Sequence, residues 1–562
     1  MLIRPAVGRL ALSPLASVRS QLITRASNAP ILLRPHFRGF VSQTKGGHTG
    51  RSAMGRSVEP LAVTWLAPKP SEVTPDHIIP DLPILPATSH RQNDVLVFLV
   101  TPAFAPWVDE SHSFLKESIR HIFQDAHGPA CVREDFHTVV AVIDKIPSPQ
   151  GHLVAKEEKH IGGSGNGSEG LSMLLVGKKH LARKVAPKSP AERGSTPLEP
   201  VVTYSVKSRP GRDIPLISHD VEFRLANTLF VNGKHRTIFA SSWGHDRSTD
   251  DLVLEQELDL SGFQIRSTSD PRVELQLPLH PVTKRRKVLF SMGNILRQIS
   301  KSDGSDEPIP ASTELEKELP RYVKENNLMD QRLVVWALIE PATSVCDPNR
   351  EMNGSRVPRS IRNGARLHRV VSGGGGWGKK QGLLSLDPEN RFATDFSSTT
   401  GDVLAETSSQ NGNEDSLGDN SFPSGFPGFG GESEITSINK VAEDGEFVQF
   451  FVAPEGGSVE SILGELEQQS VLEGAPILAS TFGAISTPEY GIPNAGDSLS
   501  SPSDNSSPVI SLKNYFGVLS EKGITYSSSV TEETGSPDEA QKDVKKVSGT
   551  KIGVPGARVH FV

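Results

Sequence analysis

The chain has 562 residues with a formal net charge of −7, and 36% of them are hydrophobic. Globular domains usually reach about 45–50%, a range that counts glycine, so part of this chain is not expected to enter a packed core. The two cysteines, Cys131 and Cys346, exclude a disulfide framework and a cluster of thiolate metal ligands. No long apolar run predicts a membrane-spanning helix.

The N-terminus is basic and free of acids up to Glu59. Such an Arg-rich, acid-free start is typical of a mitochondrial transit peptide. Four apolar residues from Leu12 to Leu22 recur at helical spacing, which predicts an amphipathic helix. A basic arm that binds nucleic acid is the alternative. We predict a transit peptide over residues 1–40, cleavage after Phe40, and a location in the mitochondrial matrix or on the matrix face of the inner membrane.

The segment that follows predicts an ordered domain. Residues 41–90 are Pro-rich and predicted to be extended. "DVLVFLV" then predicts a buried strand, "SHSFLKESIRHIF" a helix, and "FHTVVAVIDKIP" and "GLSMLLVGKK" two more strands. This order indicates an α+β or α/β domain. Gly165, Gly167 and Gly170 have the spacing of a dinucleotide fingerprint, but a strand follows where that motif needs a helix, which favours a plain loop.

The next 140 residues continue this mixed pattern. "PVVTYSV", "VEFRLANTLFVNG", "RTIFASSW" and "VELQLPL" predict strands, with a hairpin turn at Asn232 and Gly233. "RKVLFSMGNILRQIS" predicts a helix, because apolar residues from Leu289 to Ile299 share one helical face. "STELEKELPRYVKEN" predicts a second helix with a capping box at Thr313 and Glu316. "RLVVWALIEP" predicts a buried strand.

The C-terminal third changes composition at about residue 395. Polar residues, glycine and proline dominate without periodicity, which is typical of disorder. "GEFVQFFVAP" and "ARVHFV" predict strands, and "VESILGELEQQSVL" an amphipathic helix. We therefore predict an α+β (or α/β) core with long disordered acidic and Gly/Pro/Ser-rich segments. Its predicted regions after the presequence are 41–90 extended, 91–340 folded with a split near 180–200, 341–394 basic and Gly-rich, 395–440 disordered, 441–525 a small α+β segment, and 526–562 a linker with a terminal strand.

The stretch "VVSGGGGWGKKQG" resembles a phosphate-binding loop only in part. Gly373, Gly378 and Lys379 match its spacing, but Lys380 stands where a Ser or Thr hydroxyl would reach Mg²⁺. The preceding segment predicts a half-exposed strand, and Gly382 leaves little room for the helix that a phosphate-binding loop needs. We predict no nucleotide, metal or other cofactor at this loop.

Charge favours a different role for the same region. Residues 350–380 contain eight basic residues and one acid, and a second basic cluster begins at Lys284. Glycines let backbone N–H groups converge on an anion, and Trp377 offers a flat face for a base. Anionic lipid is an alternative ligand, and a plain solvated surface is the alternative to any ligand. The predicted anion or nucleic-acid site comprises Lys284, Arg285, Arg286, Lys287, Arg356, Arg359, Arg362, Arg366, Arg369, Gly373, Gly374, Gly375, Gly376, Trp377, Gly378, Lys379 and Lys380.

No residue predicts catalysis. Ser242, His245 and Asp246 are too close in sequence for a triad, whose members meet in space from distant positions, and a hairpin end is favoured. We assign no catalytic residue, and a non-enzymatic role is favoured over an enzyme. Residues 402–467 hold fourteen acids against one base, Lys440. An acidic arm tethered so close to the basic region would compete with a polyanion for it.

Two resemblances add to these patterns. "LHRVVSGGGGWGKKQGLLSLDPE" and "PASTELEKELPRYV", within residues 270–395, resemble a group of fungal mitochondrial proteins. This resemblance implies a mitochondrial location and no mechanism. The pattern over 94–177 resembles the FIST sensory domain, which implies small-ligand binding. The sequence thus predicts an RNA- or ribonucleoprotein-associated factor in mitochondrial gene expression, with a small-ligand-binding protein or a peripheral inner-membrane factor as alternatives.

Overall fold

The structure is a computed structural model of the chain. All described residues belong to one compact unit, Val58–Val562. They are 61–85, 94–108, 113–124, 135–148, 167–186, 199–208, 216–227, 237–246, 248–249, 251–269, 272–328, 333–344, 354–373, 382–392, 440–454, 478–485, 508–532 and 543–561.

Strands outnumber helices along the described chain. The strands are β1 (Leu61–Leu66), β2 (Asp94–Val100), β3 (Asp135–Val142), β4 (Gly170–Gly177), β5 (Leu181–Val185), β6 (Val201–Lys207), β7 (Leu216–Arg224), β8 (Ile238–Asp246), β9 (Asp251–Thr268), β10 (Val273–Gln276), β11 (His280–Pro281), β12 (Arg286–Met292), β13 (Ile295–Ser300), β14 (Pro308–Pro310), β15 (Leu333–Glu340), β16 (Arg366–Gly373), β17 (Leu384–Leu386), β18 (Phe447–Pro454), β19 (Ala479–Ala484), β20 (Ile510–Lys513), β21 (Tyr515–Ser520), β22 (Ile524–Glu532), β23 (Asp543–Ile552) and β24 (Arg558–Phe561). The α-helices are α1 (Ala105–Val108), α2 (Ser113–Ile122), α3 (Ser312–Glu325) and α4 (Val357–Arg362).

The largest sheet has the strand order β20-β1-β4-β2-β3-β8-β9-β6-β7-β22-β23, and β5 pairs with β9. Its centre is the predicted strand–helix–strand unit: β2 and β3 are parallel, and α1 and α2 lie in the connection between them. Successive residues of β2 enter two different cores, Val97 with one and Phe98 with the other. A strand buried on both faces reads as a continuous apolar run, which explains "DVLVFLV".

A long strand, β9, joins two parts of this sheet. Its first half pairs with β8, and its second half pairs with β5 and β6. The apolar faces of both parts contribute to one core, to which Val97 and Phe223 belong. A separate four-stranded sheet, β10-β24-β19-β21, adds Phe482 and Phe561 to the same core. The predicted terminal strand in "ARVHFV" is therefore confirmed as β24.

A closed barrel forms the third sheet. β18, β12, β13, β17, β16 and β15 pair in that order, and β15 pairs again with β18 to close the ring. Alternation along β15 explains how the barrel attaches to the rest of the chain. Ala337 and Ile339 point into the barrel core, whereas Trp336 and Leu338 point outward into the core that the larger sheets share. Period-two alternation thus gives one strand two buried faces.

The prediction of a helix over "RKVLFSMGNILRQIS" is wrong, because this segment forms the β12–β13 hairpin of the barrel. Gly293, which adopts a positive φ of 56°, turns the chain between the opposed residues Met292 and Ile295. Leu296 is fully buried, whereas Met292 is exposed, so the apolar residues do not share one face. The apolar residues have a helical spacing in the sequence because β-bulges in these two short strands interrupt the alternation of inward and outward side chains.

Several other predictions need correction. The segment 41–90 is not simply extended, because β1 lies inside the largest sheet. Residues 526–562 are not a loose linker, because β22 and β23 pair there over nearly their whole length. Helix α3 begins after Ala311 without a side-chain cap, and Ser312, rather than Thr313, donates to the Glu316 carboxylate at 2.6 Å.

The predicted fold class is confirmed only in part. Helices and strands are both present, but the core is sheet-rich and contains a barrel, so the balance implied by an α+β (or α/β) label is wrong. The strands of the barrel come from residues 91–340, 341–394 and 441–525, which the sequence predicts to be three separate regions. The predicted disordered segment 395–440, apart from Lys440, and the predicted helix 459–472 lie outside the described residues.

Candidate anion-binding surface

The two predicted basic clusters meet at one buried carboxylate, Glu340, at the end of β15. Arg285, just before β12, donates from Nε to Glu340 Oε2 at 2.8 Å. Arg356, just before α4, donates from Nη1 to Glu340 Oε1 at 2.8 Å, and Ser360 Oγ donates to the same oxygen at 2.6 Å. Clusters about 70 residues apart in sequence therefore form one structural unit, which we call the Glu340 cluster (Arg285, Glu340, Arg356 and Ser360).

Further contacts hold both guanidinium groups in place. Arg285 Nη2 donates to the Ser344 carbonyl at 2.7 Å, and its guanidinium carbon lies 3.6 Å from the centroid of the Phe447 ring. Arg356 also donates to the side-chain oxygen of Gln449, which is fully buried. Two guanidinium groups thus share the Glu340 carboxylate beneath the surface. Its contacts fix the start of β12 against α4 and the end of β15.

Three other predicted anion-binding residues form internal ion pairs. Arg286 donates two parallel hydrogen bonds of 2.8 Å to Glu314 and so attaches β12 to α3. Arg366 lies opposite the inward-pointing Ile339 and donates to Glu446 at 2.6 Å, near one end of the barrel core. Lys287 forms a more exposed pair with Asp306 at 2.9 Å.

These pairs correct the predicted site. Arg285, Arg286, Arg356 and Arg366 are committed to carboxylates of the same chain, so a ligand would have to displace buried, geometrically favourable contacts to reach them. The acid partners lie between 16 and 80 residues away in sequence. A local count of charges, which gave the excess over residues 350–380, does not detect partners at such separations.

Four of the predicted cations remain exposed: Lys284, Arg359, Arg362 and Arg369. Within the described part of the chain, no carboxylate forms an ion pair with any of them. Lys284 precedes Arg285 directly, and Arg359 precedes Ser360, so both flank the Glu340 cluster. Arg362 donates to the Val273 carbonyl at 3.2 Å, and Arg369 lies on the outer side of β16. The Glu340 cluster therefore fixes the two segments that carry Lys284 and Arg359.

The glycine run begins at the end of β16 and connects two neighbouring barrel strands. Gly373 is opposite Leu384, and a Cβ atom at Gly373 would overlap the Leu384 side chain, so close strand packing requires this glycine. The next described element is the strand β17, whereas a phosphate-binding loop continues into a helix. The other predicted members of the loop, Gly374, Gly375, Gly376, Trp377, Gly378, Lys379 and Lys380, lie outside the described residues.

The Ser242, His245 and Asp246 segment is a hairpin end, as predicted. Asp246 accepts hydrogen bonds from the backbone N–H and the hydroxyl of Ser248 at 2.8 and 2.7 Å, and one from Thr249 at 3.1 Å. These bonds lower the pKa of Asp246. The carboxylate therefore holds the turn between β8 and β9.

Asp144 and His368 are titratable groups that lie away from this surface. Burial raises the pKa of Asp144, after β3, to about 6, against hydrogen bonds from the backbone N–H of Glu521 and from Ser520. Burial lowers the pKa of His368, on β16, to about 4, so its ring is neutral at physiological pH. His368 Nδ1–H then donates to the Asp387 carbonyl at 2.8 Å.

Comparisons with protein-family models, with curated proteins and with solved structures find no match for this chain. Among the described residues, no group of three or more histidine, cysteine, aspartate or glutamate side chains is placed to hold a metal ion. No helix in the described ranges has both the length and the apolar character needed to cross a membrane.

Proposed function

We propose that the protein is a non-enzymatic RNA-binding factor of mitochondria, and that the surface around the Glu340 cluster contacts the RNA backbone. The observation that carries this proposal is the meeting of the two basic clusters at Glu340. Arg285 and Arg356 anchor two segments at Glu340. These segments carry Lys284 and Arg359, which have no ion-pair partner in the described residues. Phosphate contacts by such lysines and arginines position a nucleic acid without reading its sequence.

The location remains part of this proposal. The acid-free, Arg-rich start of the sequence supports import into the matrix and removal of residues 1–40. N-terminal sequencing of the protein recovered from cells tests it, with a new N-terminus close to Phe40 as the expected result. An intact Met1 would contradict import with cleavage.

The binding test uses the full chain and a fluorescent RNA, with affinity measured by anisotropy at several salt concentrations. The double variant Lys284→Ala/Arg359→Ala should bind more weakly and should have a shallower salt dependence, by about 0.7 log units per log unit of salt for each lost contact. The matched control is Lys317→Ala/Lys324→Ala, which removes the same charge from exposed positions on α3. Equal effects of the two double variants would contradict a localised surface.

A second measurement addresses the cellular partner. Matrix extract is sedimented through a sucrose gradient at low salt, with and without RNase treatment. We expect faster sedimentation that RNase abolishes. A small free protein under both conditions would refute association with RNA or a ribonucleoprotein.

A further inference from the structure

Three exposed apolar side chains lie on strands of the barrel. Among the described residues, six large apolar side chains are exposed, and three of them belong to barrel strands: Phe290 at 39%, Met292 at 56% and Val371 at 64%. Single exposed apolar residues are normal on a protein surface, whereas a group on one face marks an interaction site. We call these three residues the barrel face.

Strand pairing connects the three residues across the sheet. Met292 lies opposite Ile295, Ile295 opposite Ser385, and Ser385 opposite Ser372, the neighbour of Val371. Four strands at about 4.8 Å spacing span about 14 Å. The barrel face therefore extends across four neighbouring strands.

Register shifts accompany this exposure. The pairing of β12 with β13 shifts on both sides of Phe290, and that of β16 with β17 shifts between Val370 and Ser372. A bulge inserts an extra residue and redirects side chains. Val370 packs against the barrel core, whereas the next residue, Val371, is exposed and lies at the shift itself. Phe290 and Val371 therefore both face solvent at places where the register shifts.

Charges around the barrel face are arranged on two sides. The guanidinium carbon of Arg297, on β13, lies 5.3 Å from the centroid of the Phe290 ring, and Arg369 is exposed on β16. The exposed acids Glu443 and Asp444 lie in the segment that follows the opposite edge of β12, where Gly445 N donates to the Val288 carbonyl. Arg297 and Arg369 can therefore attract a polyanion to the part of the barrel face that β13 and β16 form.

We infer that the barrel face binds single-stranded RNA, with a base stacked on Phe290 and phosphates near Arg297 and Arg369. This inference rests on the proposed function and specifies its ligand. Bases in a duplex are not free to stack on a side chain, whereas unpaired bases stack on aromatic rings irrespective of sequence. A stable protein partner needs about 800 Å² of surface on each side, which three side chains do not supply.

The test compares two RNA probes on the full chain: a fluorescein-labelled 12-residue oligouridylate and a labelled 12-base-pair duplex. Phe290→Ala should weaken oligouridylate binding about tenfold, the equivalent of about 1.4 kcal/mol, because stacking contributes about 1–3 kcal/mol per base. Duplex affinity should not change, and Phe290→Tyr should retain oligouridylate binding. Val253→Ala, which shortens an exposed apolar side chain on β9, is the matched control and should bind both probes as the wild type does.

The outcomes separate this inference from the proposed function. If Lys284→Ala/Arg359→Ala lowers the affinity for both probes and Phe290→Ala lowers the affinity for neither, the stacking surface is refuted and the proposed function stands. If the wild type binds neither probe at low salt, both fail. If Phe290→Ala changes the oligomeric state measured by light scattering and leaves oligouridylate affinity intact, the barrel face is a protein contact and the inference is overturned.

Discussion

Replacing Glu340 with glutamine should destabilise the protein more than any other single loss of a carboxylate described above. Glu340 is 2% exposed and accepts hydrogen bonds from Arg285, Arg356 and Ser360. The substitution keeps the shape of the side chain but removes the carboxylate charge that two poorly solvated guanidinium groups share. Breaking a buried ion pair from one side costs about 3–5 kcal/mol, because the remaining charge is uncompensated.

Two other ion pairs calibrate this value. Glu314→Gln makes the same change in the pair with Arg286, where both side chains are 13% exposed, and should cost less. Glu307→Gln removes the acid from a pair with Lys301 that is 60% exposed, and should cost at most about 1 kcal/mol. The three variants should therefore rank in the order of their burial.

The assay is urea unfolding of the full chain, followed by tryptophan fluorescence. Adding Arg356→Met to Glu340→Gln removes one of the two guanidinium groups that bind Glu340 and should recover part of the lost stability. A Glu340→Gln midpoint no lower than that of Glu307→Gln would refute the view that this carboxylate holds the two basic segments together.

Three further predictions concern other parts of the chain. Asp144→Asn should stabilise the protein by at most about 3 kcal/mol at pH 7 and should not stabilise it at pH 4. The pKa of Asp144 rises from the ordinary 3.8 to about 6 on folding, so the wild type loses stability as the pH rises from about 4 to above 6. Urea midpoints at both pH values check this. Gly170→Ala should lower the thermal midpoint, because a Cβ atom there would overlap the Trp65 carbonyl, whereas Gly177→Ala, at the open end of the same strand, should not. Deleting residues 402–440 removes seven acids and one base and, if this segment competes with RNA, should tighten oligouridylate binding at low salt and progressively less at higher salt; unchanged anisotropy titrations would contradict competition.

The sequence predicts the parts of the fold that local patterns specify. "DVLVFLV", "GLSMLLV" and "RLVVWALIE" are continuous apolar runs, and each became a strand buried on both faces. Helix α2 followed from the spacing of Leu115, Ile119 and Ile122, all of which are buried. In these segments the side-chain period and the burial agree, so local reasoning suffices.

The barrel could not be predicted in this way. Its closure depends on β15 pairing with β18, which brings Leu333 opposite Pro454 across more than a hundred residues. The β12–β13 hairpin was concealed because its bulges give short strands an apparent helical spacing. The same limitation applies to the candidate site. The sequence locates the basic residues, but it does not reveal that Glu340, Glu314 and Glu446 form ion pairs with four of the arginines, two of them at Glu340.

This internal neutralisation sets a limit on how the protein can bind RNA. If only Lys284, Arg297, Arg359, Arg362 and Arg369 contact phosphates, the slope of log affinity against log salt should not be steeper than about −3.5, since each contact to a single strand contributes about −0.7. Affinity would then fall about 130-fold between 50 and 200 mM salt. Five such contacts give weak binding, so a salt-independent contribution such as stacking on Phe290 is needed for a functional affinity. Phe290→Ala should accordingly lower affinity by the same factor at every salt concentration and leave the slope unchanged. A slope steeper than about −5 would show that more cations take part than these five, and the division between paired and available cations would be wrong.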